Sequence, residues 1–208
     1  MQRSNKPVPY FSQWESRHLT SQILAEGFAS GLARDPLWRG SGARSIEEYV
    51  AWAWNICGMA CLKMILAART GQVIPTLELA RACTEYGGYV IDPHTGAIKG
   101  LIYAPLVKFL QERFGIRSEV VTGIGAHQLP ELLGHAEFFI ASVHSSIRWP
   151  ERTPPAKGGH LVLVMEAGPA GVVFHNPSGH DTASQENATV SLETFERFFA
   201  ARGVAILA

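Results

Sequence analysis

Around Gly115 the hydrophobic pattern of this chain changes character, and that change restricts its folds more than any other feature. Before it, apolar residues recur at helical spacing. Thr20 to Ala33 sets Ile23, Leu24, Phe28 and Leu32 near that spacing and stops before Asp35-Pro36, which predicts a helix. Ser45-Ile46-Glu47-Glu48 has the form of a capping box, with a helix reaching Ala53. Cys57 to Arg69, rich in Ala, Leu and Met with Gly71 beyond it, reads as a buried helix; further helices are expected from Pro75-Thr76 to about Tyr86, and from Pro105-Leu106 to Phe114 with Gly115 as the stop.

After Gly115 the runs are short and apolar or β-branched. Ser118 to Thr122, Phe138 to His144, His160 to Ala167, Val172 to His175 and Val204 to Leu207 read as strands. Gly168-Pro169-Ala170-Gly171 marks a hairpin, a short helix is expected over Leu129 to Leu133, and Ser191 caps another through about Arg202. Helices first and antiparallel strands second predict α+β, not alternating α/β. With 208 residues and 47% hydrophobic content, one domain spanning residues 1–208 is expected, with a helical lobe over about 15–115 and a sheet lobe over about 116–208.

Charge narrows the function classes. Lys+Arg and Asp+Glu number 18 each, and the basic residues never form a run. That argues against nucleic acid and against an anionic membrane surface as partners. No apolar run is long enough to span a bilayer, and the first seven residues, Met1 to Pro7, carry no visible secretory signal, so a cytoplasmic location is expected. Three cysteines without a CxxC pair argue against a disulfide scaffold or a zinc ribbon. The eight histidines show no HExxH spacing, and no phosphate loop or GxSxG elbow is present, so no metal or cofactor is expected.

Cys57 sits where a loop, Trp54-Asn55-Ile56, enters a helix. A helix N-terminus carries partial positive charge and free N–H groups, so it favours a thiolate, and the Cys57 N–H can face a developing oxyanion. Gly58 keeps the space beside the sulfur free of a side chain. Cys61 and Cys83, within helices, read as core residues. A nucleophile needs a base, and the base needs an orienting group. His160 follows Gly158-Gly159 at the start of an apolar strand. The hairpin brings Asn176, at the end of the next strand, beside that start, so the Asn176 carbonyl can accept from one ring nitrogen and leave the other for Cys57. Asp181 is a weaker candidate for the same role.

Four stretches taken in order carry a family resemblance: Val8-Pro9-Tyr10-Phe11-Ser12-Gln13, Cys57-Gly58-Met59-Ala60-Cys61-Leu62-Lys63-Met64, Gly159-His160-Leu161-Val162-Leu163-Val164 and Val173-Phe174-His175-Asn176-Pro177. Together they resemble the papain-like cysteine peptidases of the bacteriocin (double-glycine leader) peptidase type. The resemblance implies a papain-like fold with a cleft between the lobes, and a thiolate–imidazolium pair. It implies Cys57 as nucleophile forming an acyl-enzyme, His160 as base and then acid, Asn176 as orienter and Gln13 as side-chain oxyanion donor. The implied substrate is a peptide or small amide, hydrolysed without cofactor. Acyl transfer or peptide cyclisation would use the same acyl-enzyme, and a catalytically silent peptide-binding module would use the same fold. Met59 stands where the family often has proline, and Asn176 where it commonly has aspartate. A helical insert from about Glu15 to Trp54 separates Gln13 from Cys57, so Asn55 is the alternative oxyanion donor. Trp52 or Trp54 is expected to wall the pocket. The segment His144 to Trp149 and the proline-rich loop after it read either as substrate contacts or as plain surface.

Overall fold

The computed structural model of the protein describes residues 7–208; the stretch from Met1 to Lys6, read above for a leader signal, lies outside the described residues. Two short helices, α1 (Thr20–Glu26) and α2 (Phe28–Leu32), replace the single predicted one. Gly27 breaks it with φ +84°, a conformation that leaves the helical region while the apolar spacing continues across it. Next come α3 (Ile46–Ala53), α4 (Cys57–Thr70), α5 (Thr76–Glu85) and α6 (Tyr103–Phe114), all close to expectation. Ser45 caps α3 by accepting from the Glu48 N–H, but the Glu48 carboxylate reaches back to the Arg44 N–H, so the box closes one residue early. Gly71 and Gly115 end α4 and α6 in the left-handed region, as their positions predict.

The second half supplies β1 (Ser118–Thr122), α7 (Leu129–His135), β2 (Ala136–Val143), β3 (His160–Gly168), β4 (Gly171–His175), α8 (Thr182–Gln185), β5 (Ala188–Val190), α9 (Leu192–Phe198) and β6 (Phe199–Leu207). The strands form one antiparallel sheet in the order β1-β6-β2-β3-β4-β5. The helix expected to reach Arg202 stops at Phe198, because Phe199 pairs with Val143 and Gly203 with Ala141. Ladder pairing across the sheet outweighs local helical preference there.

The two-residue period of the central strands divides the core. Phe138, Ile140, Leu161, Leu163, Val204 and Ile206 pack with α4, α5 and α6 on one face. Their alternates Phe139, Ala141, Val162, Val164 and Ala205 pack with α7 and α9 on the other. The early helices thus cover one face only, while helices from the second half cover the opposite face. A third, smaller core of Trp14, Ile23, Leu32, Tyr49 and Ala53 lies within the insert.

Candidate active site

The elements that carry the expected residues converge. α3 and α4 meet at 94°, and Cys57 is the first residue of α4, at that corner. His160 opens β3. Both Gly158 and Gly159 have positive φ (+87° and +92°), a path that turns the chain into the strand and disfavours any residue with a Cβ. Leu163 pairs with His175 in the hairpin, which carries Asn176 past the last paired residue toward His160. The Asn176 Oδ1 lies 2.8 Å from the His160 Nε2. With Nε2 taken, Nδ1 is the ring nitrogen left for the cleft.

Cys57 and His160 line one cavity of about 320 Å³, together with Gln13, Asn55, Trp54 and Ser178. Cys57 is 9% exposed and His160 5%. Burial pushes the Cys57 thiol up to about 11, opposed by hydrogen bonding with the backbone of Leu161, Gly58 and Cys57 itself. Burial first, then the charge of Arg148, presses the His160 imidazole down to about 3, against the raising effect of Asn176. Desolvation thus opposes charge on either group, against the helix N-terminus, which favours a thiolate.

The extended segment before the insert docks as expected. Tyr10 Oη donates to the Asn176 carbonyl (3.0 Å), and both the Ser12 hydroxyl and the Gln13 N–H donate to the Pro177 carbonyl (2.9 Å each). The insert does not carry Gln13 away from the cleft. Its two ends meet at one acceptor, the Ala53 carbonyl, which receives Gln13 Nε2 (3.0 Å) and Trp14 Nε1 (3.2 Å). One N–H of the Gln13 amide is committed there and the second is left over. Asn55 also lines the cavity, but its Nδ2 donates to Ala51 at the end of α3. Trp54 is the tryptophan that walls the pocket, while Trp52 packs edge-on against Tyr89.

Three features depart from the sequence reading. A Cβ on Gly58 would come within 2.5 Å of the Leu101 side chain and 2.9 Å of Leu161, so packing by these two leucines accounts for the glycine. Asp181 caps α8 by accepting from the Ser184 N–H, and it is Asn176, not Asp181, that lies against the His160 ring. The segment after His144 is not plain surface: Arg148 is 4% exposed and lines the cavity. Its Nη2 donates to Ser178 Oγ (2.7 Å), which lies 3.1 Å from His160 Nε2 and 3.4 Å from Asn176 Oδ1. The sequence reading missed Ser178 and Arg148 as site residues. The one available signal for Ser178 was its place two residues after Asn176.

His175, next to Asn176, does a different job. Its Nε2 lies 3.0 Å from the Val8 carbonyl and its Nδ1 accepts from the Asn187 N–H. Both nitrogens being engaged with backbone, it ties the docked segment to the sheet and does not face the cavity.

No family model matches the sequence, and no curated protein matches it. Among solved structures the chain is similar to the peptidase domain of Streptococcus ComA, a bi-functional ABC transporter involved in a quorum sensing pathway. Identity there is 15%, over 74% of this chain and 91% of that one, with a TM-score of 0.49. It is also similar to a C39-like peptidase from Bacillus anthracis, at 14% identity over 74% of this chain and 89% of that one, with a TM-score of 0.51. At that identity the likeness to the second is one of fold, an α+β, papain-like arrangement, as the four ordered stretches implied.

Proposed function

We propose that this protein is a cysteine peptidase or related amidohydrolase working through Cys57, His160 and Asn176. The observation that carries the reading is that the sulfur at the start of α4 and the imidazole at the start of β3 line one cavity while Asn176 holds the far ring nitrogen at 2.8 Å. In this reading His160 is the base that takes the Cys57 proton. As Cys57 Sγ attacks the amide carbonyl, its proton passes to His160 Nδ1 and the carbonyl electron pair moves onto oxygen. The Cys57 N–H and the spare N–H of Gln13 are the donors in reach of that charge. Collapse of the intermediate expels the amine, which takes the proton from His160 and leaves an acyl thioester on Cys57. Water, deprotonated by the same imidazole, then releases the acid and regenerates the thiol. Asn176 keeps the ring aligned through both steps without needing a charge.

The test is direct. The protein is incubated with a peptide library, and acyl-Cys57 is trapped by acid quench and identified by mass spectrometry. A Cys57 adduct absent from His160→Ala supports the proposal. A catalytically silent peptide-binding module predicts no adduct and a Cys57 alkylation rate by iodoacetamide no higher than that of a free thiol; that pair of results would overturn the enzyme reading.

A further inference from the structure

Two arginines line the cavity, Arg148 and Arg202, and no Asp or Glu does. Neither forms a salt bridge with any carboxylate among the described residues. Arg148 is held by neutral acceptors alone: its Nε donates to the Ser145 carbonyl (2.9 Å) and its Nη2 to Ser178 Oγ. A guanidinium so far buried carries a desolvation cost that neutral acceptors offset only in part. Arg202, on β6, is exposed and lines the same cavity, as do Tyr103 and Ser142; its Nη2 would lie 3.7 Å from a Cβ on Gly158. Arg148, bonded to Ser178 beside the imidazole, and Arg202, near Gly158, thus set two cations in cavity walls without negative charge. The whole chain is neutral, so this is a local asymmetry of the cleft and not a property of composition.

Resting on the hydrolase reading above, we propose that Arg148 and Arg202 make the cleft a carboxylate-binding subsite, and that the preferred substrates carry a carboxylate close to the scissile amide. A planar guanidinium with unused N–H groups matches a carboxylate in geometry and charge, and the burial of Arg148 strengthens the pairing. The carboxylate comes from an acidic side chain or from a free C-terminus.

The experiment has two arms. In the first, Cys57 alkylation is followed by peptide mapping with iodoacetate, an anion, and iodoacetamide, its neutral counterpart. The iodoacetate-to-iodoacetamide rate ratio is expected to exceed that of free cysteine by roughly tenfold or more, the scale of one hydrogen bond to a charged group. It should fall toward the free-cysteine value in Arg202→Gln, in Arg148→Gln, and in high salt. Arg202 is exposed, so its variant keeps the test valid should Arg148→Gln fail to fold. In the second arm, kcat/KM is compared for C-terminally amidated peptides with Glu or Gln beside the scissile bond, and for Gln peptides with a free or amidated C-terminus. Preference for Glu assigns the subsite to a side chain, and preference for the free acid assigns it to a C-terminus. A rate ratio equal to that of free cysteine, with Glu, Gln, free and amidated peptides cut alike, overturns the proposal while leaving the hydrolase intact. A raised ratio without cleavage of any peptide supports the subsite and removes the hydrolase.

Discussion

Asp35 in the insert and His160 in the cleft are both buried polar residues with hydrogen-bond partners from other elements of the fold. Their surroundings differ in one respect. Asp35 accepts from the Ser16 N–H (3.1 Å), the Ser16 hydroxyl (2.6 Å), the Leu37 N–H (2.9 Å) and the Tyr49 hydroxyl (2.5 Å). Around His160 the polar groups have bonding capacity to spare. Among the described residues, Gln13 Oε1 and Asn176 Nδ2 are buried without a partner, and Arg148 has no carboxylate. Buried polar groups are normally satisfied, so a region with several orphans needs a reason. Where every donor and acceptor is used, the chain is holding a loop of some forty residues closed. Orphans also occur away from the cleft, at Thr76, Tyr89 and Ser118, so what sets the cleft apart is that Gln13 and Arg148, with capacity left over, line a cavity.

The largest test of that contrast lies in the cleft. On the proposed reaction, His160→Ala should lower kcat/KM by on the order of 10⁵, as for other residues that act as a unit with their nucleophile. Circular dichroism should show the native fold retained. Equal activity in this variant would break the contrast at its centre. Gln13→Ala comes next. Losing one oxyanion donor costs about 2.7–4 kcal/mol in the transition state, roughly 10²–10³ in kcat. The same change at Asn55 should cost less, because its side chain is only half-buried and open to solvent, whereas Gln13 is buried. A reversed ranking would make Asn55 the donor.

Removing a member of the satisfied network should move a different quantity. Asp35→Ala leaves the buried Ser16 and Tyr49 donors without an acceptor, at a cost of about 3 kcal/mol in urea denaturation. Little change in kcat/KM is expected, because Asp35 does not line the cavity. A large loss of activity at unchanged stability would mean that the insert shapes the cleft and does more than close upon itself.

What the sequence discloses divides along the same line. Elements set by local chemistry are legible: the stops at Gly71 and Gly115, the cap at Ser45, and the hairpin that brings Asn176 to His160. Gly27 was missed because the apolar spacing runs through it unbroken, and the end of α9 because its successor residues are claimed by β2 from across the sheet. In the site, Cys57, His160, Asn176 and Gln13 stand beside recognisable signals, a helix start, a paired glycine, a hairpin end and an aromatic leader segment. Arg148 has none, and Ser178 only its place two residues after Asn176. Their roles arise from a contact 30 residues apart in sequence, and nothing in His144 to Trp149 distinguishes a buried guanidinium from a solvated one.

The smallest effect sharpens the comparison through pH. His160 titrates near 6.5 when unfolded and is held down to about 3 in the fold by burial and by Arg148. Between those values the unfolded chain binds the extra proton, so stability is full above about pH 6.5 and falls as pH drops through that window. His175, lowered chiefly by burial, adds to the same slope. The Cys57 thiol, raised to about 11, does the opposite at the alkaline end: the unfolded chain loses its proton first, and stability falls as pH rises above about 9. Urea midpoints measured from pH 4 to pH 10 should therefore form a plateau with two shoulders. His160→Gln should flatten the acid shoulder and Cys57→Ser the alkaline one. Ser16→Ala, which removes a hydroxyl that does not titrate from the satisfied network, should lower the whole curve without changing either shoulder. If it changed a shoulder as much as His160→Gln does, the insert and the cleft would be one electrostatic unit, and the distinction between polar groups that close structure and polar groups that await a substrate would fail.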